Sequence, residues 1–339
     1  MPQGCGPAPA SLGAMADWRP TAALGTLRLR AQLLARVRQF FAARGVLEVE
    51  TPVLSVAATP APYLDSLTVA YHGPHAPPSG RLYLHTSPEF PMKRLLAAGS
   101  GSIYQLCRVF RDGEAGARHN PEFTLLEWYR VDFDLRQLID EVEALLRSIL
   151  AGVRELPQAE YWSYRALFQT YAGVDGLTAD VGALRTCLER HGHRPPAGMP
   201  EDDPDPWRDL LLTHVIEPQL RGLLFVTGYP ASQALLARLE AGNPPVAARF
   251  ECYLDGVELA NGFHELTDVA EQQRRFEREN IARAAAGRSP VPPDEYLLAA
   301  LEAGLPDCSG VALGFDRLMM CAAGVARIDE VLAFGIARA

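Results

Sequence analysis

Leu27, Leu33, Leu34, Val37, Phe40 and Phe41 recur at the three- and four-residue spacing of one helix face. This predicts an amphipathic helix over residues 26–43 that stops at Gly45. A second stripe, Leu135, Leu138, Ile139, Val142, Leu145, Leu146 and Ile149, predicts a helix over 135–151. Between the two the period falls to two. Residues 103–110 (IYQLCRVF) and 122–130 (EFTLLEWYR) read as strands joined by a polar loop, with Phe123, Leu125, Glu127 and Tyr129 on one face of the second. A further strand is expected over Leu223–Thr227. Phe250, Cys252 and Leu254 alternate with polar neighbours, Asp255-Gly256 has the signature of a type I′ turn, and Val257–Ala260 resumes the alternation. Val46–Val53 is a short alternation broken by Pro52, and residues 72–80 form a loop. A charged helix is expected over 269–286, with Asp268 and Glu271 as a capping pair. Residues 307–323 read as loop, buried strand and helix. Strand pairs separated by helices, without regular βαβ alternation, predict an α+β fold with an antiparallel sheet flanked by helices. No G-x-G-x-x-G opens a helix after a strand and no Walker A motif is present, so a nucleotide would be held by another device.

Composition narrows this picture. The 339 residues are 48% hydrophobic and 22% charged, the balance of a globular chain with a sizeable core. At about 150 residues per domain the length allows roughly two domains, or one with an insertion. No apolar run approaches the ~18 residues of a membrane span. Residues 1–16, rich in Gly, Ala and Pro, read as a disordered extension without the pattern of a secretory signal. Residues 155–220 are weakly patterned around PPAGMPEDDPDP (195–206), a solvated loop. The six cysteines are scattered, without C-x-x-C spacing or clustered histidines, which predicts reduced thiols in a cytoplasmic protein rather than disulfides or zinc. The net charge of −9 argues against a broad nucleic-acid surface, while leaving room for a local basic patch.

Four segments concentrate chemistry. FRDGEAGARHNPEFTLLEWYR (110–130) places Arg111, Asp112, Gly113, Glu114, Arg118, His119 and Asn120 at a hairpin mouth, beside a strand face carrying Glu127 and Tyr129. Arginines there suit an anion held by paired hydrogen bonds, and the carboxylate suits an ammonium group. DGVELANGFHELTD (255–268) carries Glu258 and Glu265 on either side of an expected bend at Asn261-Gly262, a pairing that suits Mg²⁺. GVALGFDRLMM (310–320) has glycines that permit close approach of a flat ligand, followed by Arg317 where strand passes into helix. TSPEFPMKRLL (86–96) starts a helix with Ser87 as N-cap and Pro88 at its first position, and would point Glu89 into a pocket. Taken singly, the first reads better as a charged hairpin tip and the second as exposed surface charges, while the third is also a buried strand and the fourth a plain helix start.

In this order the four segments resemble the class II aminoacyl-tRNA synthetase core. Helix 26–43 with GVLEVETPVL resembles motif 1, the FR…HNPEFTLLEWYR hairpin motif 2, and GVALGFDR motif 3. The similarity covers residues 17–339. It is nearest the lysyl-tRNA synthetase branch and, within it, the elongation factor P–(R)-β-lysine ligase family. It implies one catalytic domain over 17–339, with 155–220 inserted between the motif 2 and motif 3 regions. Motif 1 begins within the first 30 residues, leaving no room in this chain for the preceding anticodon-binding domain of lysyl-tRNA synthetases. The resemblance implies ATP-dependent activation of a β-lysine carboxylate as an acyl-adenylate, transfer to a lysine side chain of elongation factor P, Mg²⁺, and a homodimer. Arg111 is expected on the ATP α-phosphate and Arg317 on the γ-phosphate. Asp112, Gly113, Asn120, Glu258, Leu259 and Gly314 would line the nucleotide site. Ser87, Pro88, Glu89, Tyr129 and Glu265 would hold the amino acid, and Glu258 and Glu265 the metal. Two alternatives are a truncated lysyl-tRNA synthetase and an inactive paralogue with a regulatory role; the acidic balance makes tRNA an unfavoured acceptor.

Two positions depart from that pattern. Arg111-Asp112-Gly113 replaces the usual Arg-Asn-Glu, so Gly113 offers the adenine only backbone, or Glu114 substitutes. Ala312 stands where lysyl-tRNA synthetases usually have Gly, and its methyl is expected to reshape the pocket floor toward a β-amino acid.

Overall fold

In the computed structural model, which describes residues 18–339, the chain opens with α1 (Leu24–Ala42), followed by β1 (Leu47–Glu48), β2 (Leu54–Ser55), β3 (Thr68–Ala70) and β4 (Arg81–Leu84). The extension expected at residues 1–16 lies outside the described residues. Helix α2 (Glu89–Ala97) leads to the hairpin β5 (Ile103–Phe110) and β6 (Glu122–Val131), then to α3 (Leu135–Leu150). The middle of the chain holds β7 (Glu160–Ser163), α4 (Tyr164–Tyr171), α5 (Val181–Arg190), α6 (Asp205–Leu211) and β8 (Leu223–Pro230). The last third holds β9 (Leu239–Glu240), β10 (Val246–Leu254), β11 (Val257–His264), α7 (Val269–Ala285), α8 (Glu295–Gly304), β12 (Cys308–Gly314) and α9 (Phe315–Ala323).

The main sheet runs β1-β5-β6-β12-β11-β10-β8-β7, with β9 added on β10, and only its outer pairs β1–β5 and β7–β8 are parallel. The antiparallel α+β architecture is the one the strand pattern predicts. A smaller antiparallel sheet, β2-β4-β3, stands beside it. Asp255 and Gly256 join β10 to β11 at φ 48° and 72°, both positive as a type I′ turn requires. Asn261 and Gly262, expected at a bend, instead lie inside β11, paired with Glu251 and Phe250. Gly262 is small because Phe250 packs there: a Cβ would stand 2.4 Å from its ring. The bend signal was a packing requirement.

Each sheet face meets a different partner. One face is closed by α1, α3 and α9, where Phe41, Trp128, Val142, Leu146, Phe250, Leu313 and Met319 form a continuous core. Every apolar position of the α3 stripe from Leu138 to Ile149 is buried, each large side chain contributing about 1.5–3 kcal/mol. Asp134 closes that helix start with a capping box to Gln137. The opposite face is covered in two places. At one end α4, α5 and α6 cover Leu224, Val226 and Tyr253; at the other α2, α7 and α8 cover Ile103, Tyr129 and Cys308. Between these two satellite cores the sheet face is left open, and this gap is the candidate site. Arg30 of α1 ties the segments around it together, donating to Asp316 at the start of α9 (2.5 Å) and to Thr124 of β6 (2.7 Å). Asp316 also accepts the Thr124 backbone N–H at 2.7 Å.

The described cysteines are free. No helix among the described residues is long and apolar enough to cross a membrane.

Candidate active site

The gap is a cavity of about 510 Å³, floored by β6, β12 and β11 and walled by α2, α7 and the 52–66 segment. Its floor follows from register. Gly310, Ala312 and Gly314 of β12 pair with Tyr129, Glu127 and Leu125 of β6, so their side chains rise on one face, and Asn261 and Phe263 of β11 continue it. Gly310 has to be glycine: a Cβ there would lie 2.3 Å from the Tyr129 ring and 2.5 Å from a Glu265 oxygen.

One end of the cavity is acidic. Ser87 accepts the Glu89 backbone N–H at 3.0 Å and donates to Glu127 Oε2 at 2.7 Å. Pro88 directly precedes the helix, one place earlier than expected, and Ser87 still caps the turn. Tyr129 donates to Glu127 Oε1 at 2.7 Å. Lys93, one turn into α2, lies 2.6 Å from both Glu89 Oε1 and Glu265 Oε2. Burial and the Glu89 charge push the Glu127 carboxyl up to about 8, against the hydrogen bonds from Ser87 and Tyr129. Burial likewise lifts Glu265 to about 7, with Lys93 opposing it. Burial pulls on the Lys93 ammonium, but Glu265 and Glu89 more than reverse this and hold it above its ordinary value.

The other end is basic. Arg111 leaves β5 with its backbone N–H on the Pro121 carbonyl at 2.9 Å, its guanidinium over the Phe123 ring, and Glu114 at 3.6 Å. Its Nε is buried without a partner, a donor free to serve an anion. Arg317, at the first turn of α9, donates to the Glu258 carbonyl (3.1 Å) and carboxylate (3.2 Å). Its other nitrogen meets His119 Nε2 at 2.7 Å. Arginine only donates, so Nε2 accepts and the ring is neutral; burial and the Arg317 charge both lower the His119 pKa. Arg118 donates to the Gly256 carbonyl at 3.1 Å. A cavity with carboxylates at one end and arginines at the other can hold a molecule carrying ammonium groups on one side and phosphate or carboxylate on the other.

Of the residues singled out in the sequence, Ser87, Glu89, Arg111, Asn120, Tyr129, Glu258, Leu259, Glu265, Gly314 and Arg317 line this cavity. Pro88, Asp112 and Gly113 do not. Asn120 is occupied in holding the chain's end, accepting from Ile336 N–H and donating to the Glu122 carbonyl. The Asp112 N–H donates to the Asp65 carbonyl at 2.8 Å. Gly113 sits at φ +78°, so a side chain there would cost about 1–2 kcal/mol, and Glu114 is the carboxylate that reaches the cavity.

The paired carboxylates expected at Glu258 and Glu265 are not a pair. They bracket the length of β11, seven residues or about 20 Å apart at ~3.3 Å per residue, and each has its own cation, Arg317 and Lys93. Glu251 is the carboxylate near Glu258: Glu251 pairs with Asn261 and Tyr253 with Glu258 on the same face. A register shift at Cys252/Tyr253 inserts Leu259 into the ladder, which resets the period of two and hides the Glu251–Glu258 relationship from a reading of spacing. Glu279, which lines the cavity, and Lys93, buried behind Glu89 and Glu265, were not singled out in the sequence, whereas Glu127 was matched there to an ammonium group. For Glu127 the signal was the strand face it shares with Tyr129.

The fold and this two-ended cavity define a class II synthetase: the family description "tRNA synthetases class II (D, K and N)" matches residues 14–338. Curated relatives narrow the class. The chain is 48% identical over 325 residues to the elongation factor P–(R)-β-lysine ligase of Haemophilus ducreyi, covering 95% of this chain and 97% of that protein. It is 49% identical over 327 residues to that of Edwardsiella ictaluri (96% and 99% covered) and 49% over 321 residues to that of Vibrio vulnificus (94% and 98%). The chain belongs to the elongation factor P–(R)-β-lysine ligase family.

Proposed function

We propose that this protein activates (R)-β-lysine with ATP as an acyl-adenylate and transfers the β-lysyl group to a lysine side chain of elongation factor P. The observation that carries this reading is the charge division of the cavity. β-Lysine has two ammonium groups and one carboxylate, and the acidic end supplies Glu89, Glu127 and Glu265 around Lys93, with Ser87 and Tyr129 orienting Glu127. The names of the relatives support the same substrate and acceptor.

Arg111, at the basic end, would hold the α-phosphate against the substrate carboxylate. The carboxylate oxygen attacks the α-phosphorus in line and pyrophosphate leaves. Arg317 would take the far phosphates, with Glu258 and the neutral His119 setting its orientation. Nothing here demands covalent participation by the protein; positioning and neutralisation of developing negative charge supply the rate. The donor set suits Mg²⁺, which takes one or two carboxylates together with substrate phosphates. Glu258, which lines the cavity, could supply one of these carboxylates, with Glu251 behind it held by Arg249, Tyr229 and Tyr253, whereas Glu265 lies too far along β11 to share an ion with it; a bound Mg²⁺ would supply further charge neutralisation on the phosphates.

We place this chemistry in a cytoplasmic homodimer. Leu47 of β1, at the edge of the main sheet, and Val53 just after it are exposed apolar side chains suited to a subunit contact. The direct test of activation is ATP–pyrophosphate exchange with a panel of amino acids. Exchange stimulated by (R)-β-lysine above L-α-lysine is expected; its absence for both would leave a binding module rather than an enzyme.

A further inference from the structure

On the acidic side of the cavity three glutamates already have partners within the protein. Glu89 and Glu265 share Lys93, and Glu127 takes the hydroxyls of Ser87 and Tyr129. Counted as ions, these three against Lys93 leave two negative charges, the complement of the two ammonium groups of the donor. A fourth glutamate, Glu279, lines the same cavity and makes no hydrogen bond or ion pair among the described residues. It projects from α7 between Phe276, which packs against Phe90, and Arg283, which donates to the Ala61 and Leu64 carbonyls and to Asp65. Glu127 and Glu265 are 2% and 1% exposed, while Glu279 keeps part of its surface open. Tyr296, exposed at the start of α8, lines the same cavity. Glu279 is therefore surplus to the donor and placed on the approach to it.

Resting on the function proposed above, we propose that Glu279 receives the ammonium group of the incoming acceptor lysine and acts as the base that frees its lone pair for the transfer step. The proton passes from the acceptor Nζ to a Glu279 oxygen. The Nζ lone pair then forms a bond to the acyl carbon, and the bond from that carbon to the phosphate oxygen breaks, AMP taking the electron pair. The second Nζ proton goes to the departing phosphate or to water. The result is an amide, AMP and two protons.

The surroundings of Glu279 favour this role. Burial raises its carboxyl to about 7, the Glu89 charge on α2 acts in the same direction, and Arg275 and Arg278 on its own helix oppose them. Arg94 of α2, together with Asp294 and Tyr296 at the start of α8, lines the same part of the cavity; Asp294 is held by the Leu297 N–H and Arg94 lies over the Tyr296 ring. A base with a pKa near the working pH combines availability with driving force.

The test separates the two half-reactions of the full-length enzyme. Pyrophosphate exchange with (R)-β-lysine reports activation, and single-turnover transfer from preformed adenylate to elongation factor P reports the second step. Glu279→Gln is expected to lower the ratio of transfer to exchange tenfold or more and to flatten the rise of transfer with pH around 7. Glu279→Asp is expected to recover part of the rate and the pH dependence. A fall of transfer and exchange in equal proportion, or transfer at the wild-type rate with the pH limb intact, would overturn the assignment. Absence of exchange in the wild type would instead refute the underlying function.

Discussion

Lys93 Nζ stands 2.6 Å from Glu265 Oε2, and the two side chains are 3% and 1% exposed. A buried ion pair gives little net stability, but removing one partner strands the other charge at a cost of about 3–5 kcal/mol. Lys93→Met should therefore lower stability by roughly that amount in denaturant unfolding. It should also raise the KM for β-lysine in exchange at least tenfold, because Glu89 and Glu265 lose the group that fixes them. Wild-type stability together with wild-type KM would show that the lysine positions nothing.

The acidic end also predicts a pH dependence. Glu127 and Glu265 have pKa values raised to about 8 and about 7 in the ligand-free protein. In that range the folded state binds protons that the unfolded chain has already lost, so stability falls as pH rises from the usual carboxylate range toward 8. Bound ammonium groups favour the ionised carboxylates, so β-lysine affinity should rise over the same interval, with proton release on binding. Calorimetric titrations in buffers of different ionisation enthalpy measure that release directly. Affinity flat between pH 6 and 8.5 would contradict it.

Gly310 is a steric requirement of the acidic end of the cavity. A Cβ there would lie 2.3 Å from the Tyr129 ring and 2.5 Å from Glu265, far inside contact distance. Gly310→Ala should displace Tyr129 and Glu265 and reduce kcat/KM for the amino acid by a hundredfold or more, with a smaller effect on ATP binding. Equal loss of ATP and amino-acid binding would indicate a general folding defect instead.

Ala312 sits on the same floor, paired with Glu127 on one side and Asn261 on the other. Its single methyl is worth about 1–3 kcal/mol of discrimination. Ala312→Gly should move the preference between α- and β-lysine toward α-lysine by tenfold or more in the exchange assay. An unchanged ratio would remove Ala312 from the account of specificity.

Much of this architecture was legible in the sequence, for reasons that differ by element. The α3 stripe and the β5–β6 alternation survive because one face of each is buried and the other is not. Arg111 and Arg317 were identifiable because each is a charge placed where a strand gives way to loop or helix. Asn261-Gly262 misled because glycine there answers to the Phe250 ring rather than to a turn. Glu251 was hidden by the bulge that breaks the period, and Lys93 by a helix on which a lysine ordinarily faces water. Glu279 lay beyond reach of spacing altogether, since only the packing of α7 on α2 brings it to the cavity.

The central claim is tested most directly by following isotopically labelled (R)-β-lysine in a mixture of the protein, ATP, elongation factor P and tRNA. The account predicts label covalently attached to one lysine of elongation factor P, with AMP and pyrophosphate formed. Label appearing on tRNA, or on neither acceptor while elongation factor P remains unmodified by mass, would contradict it.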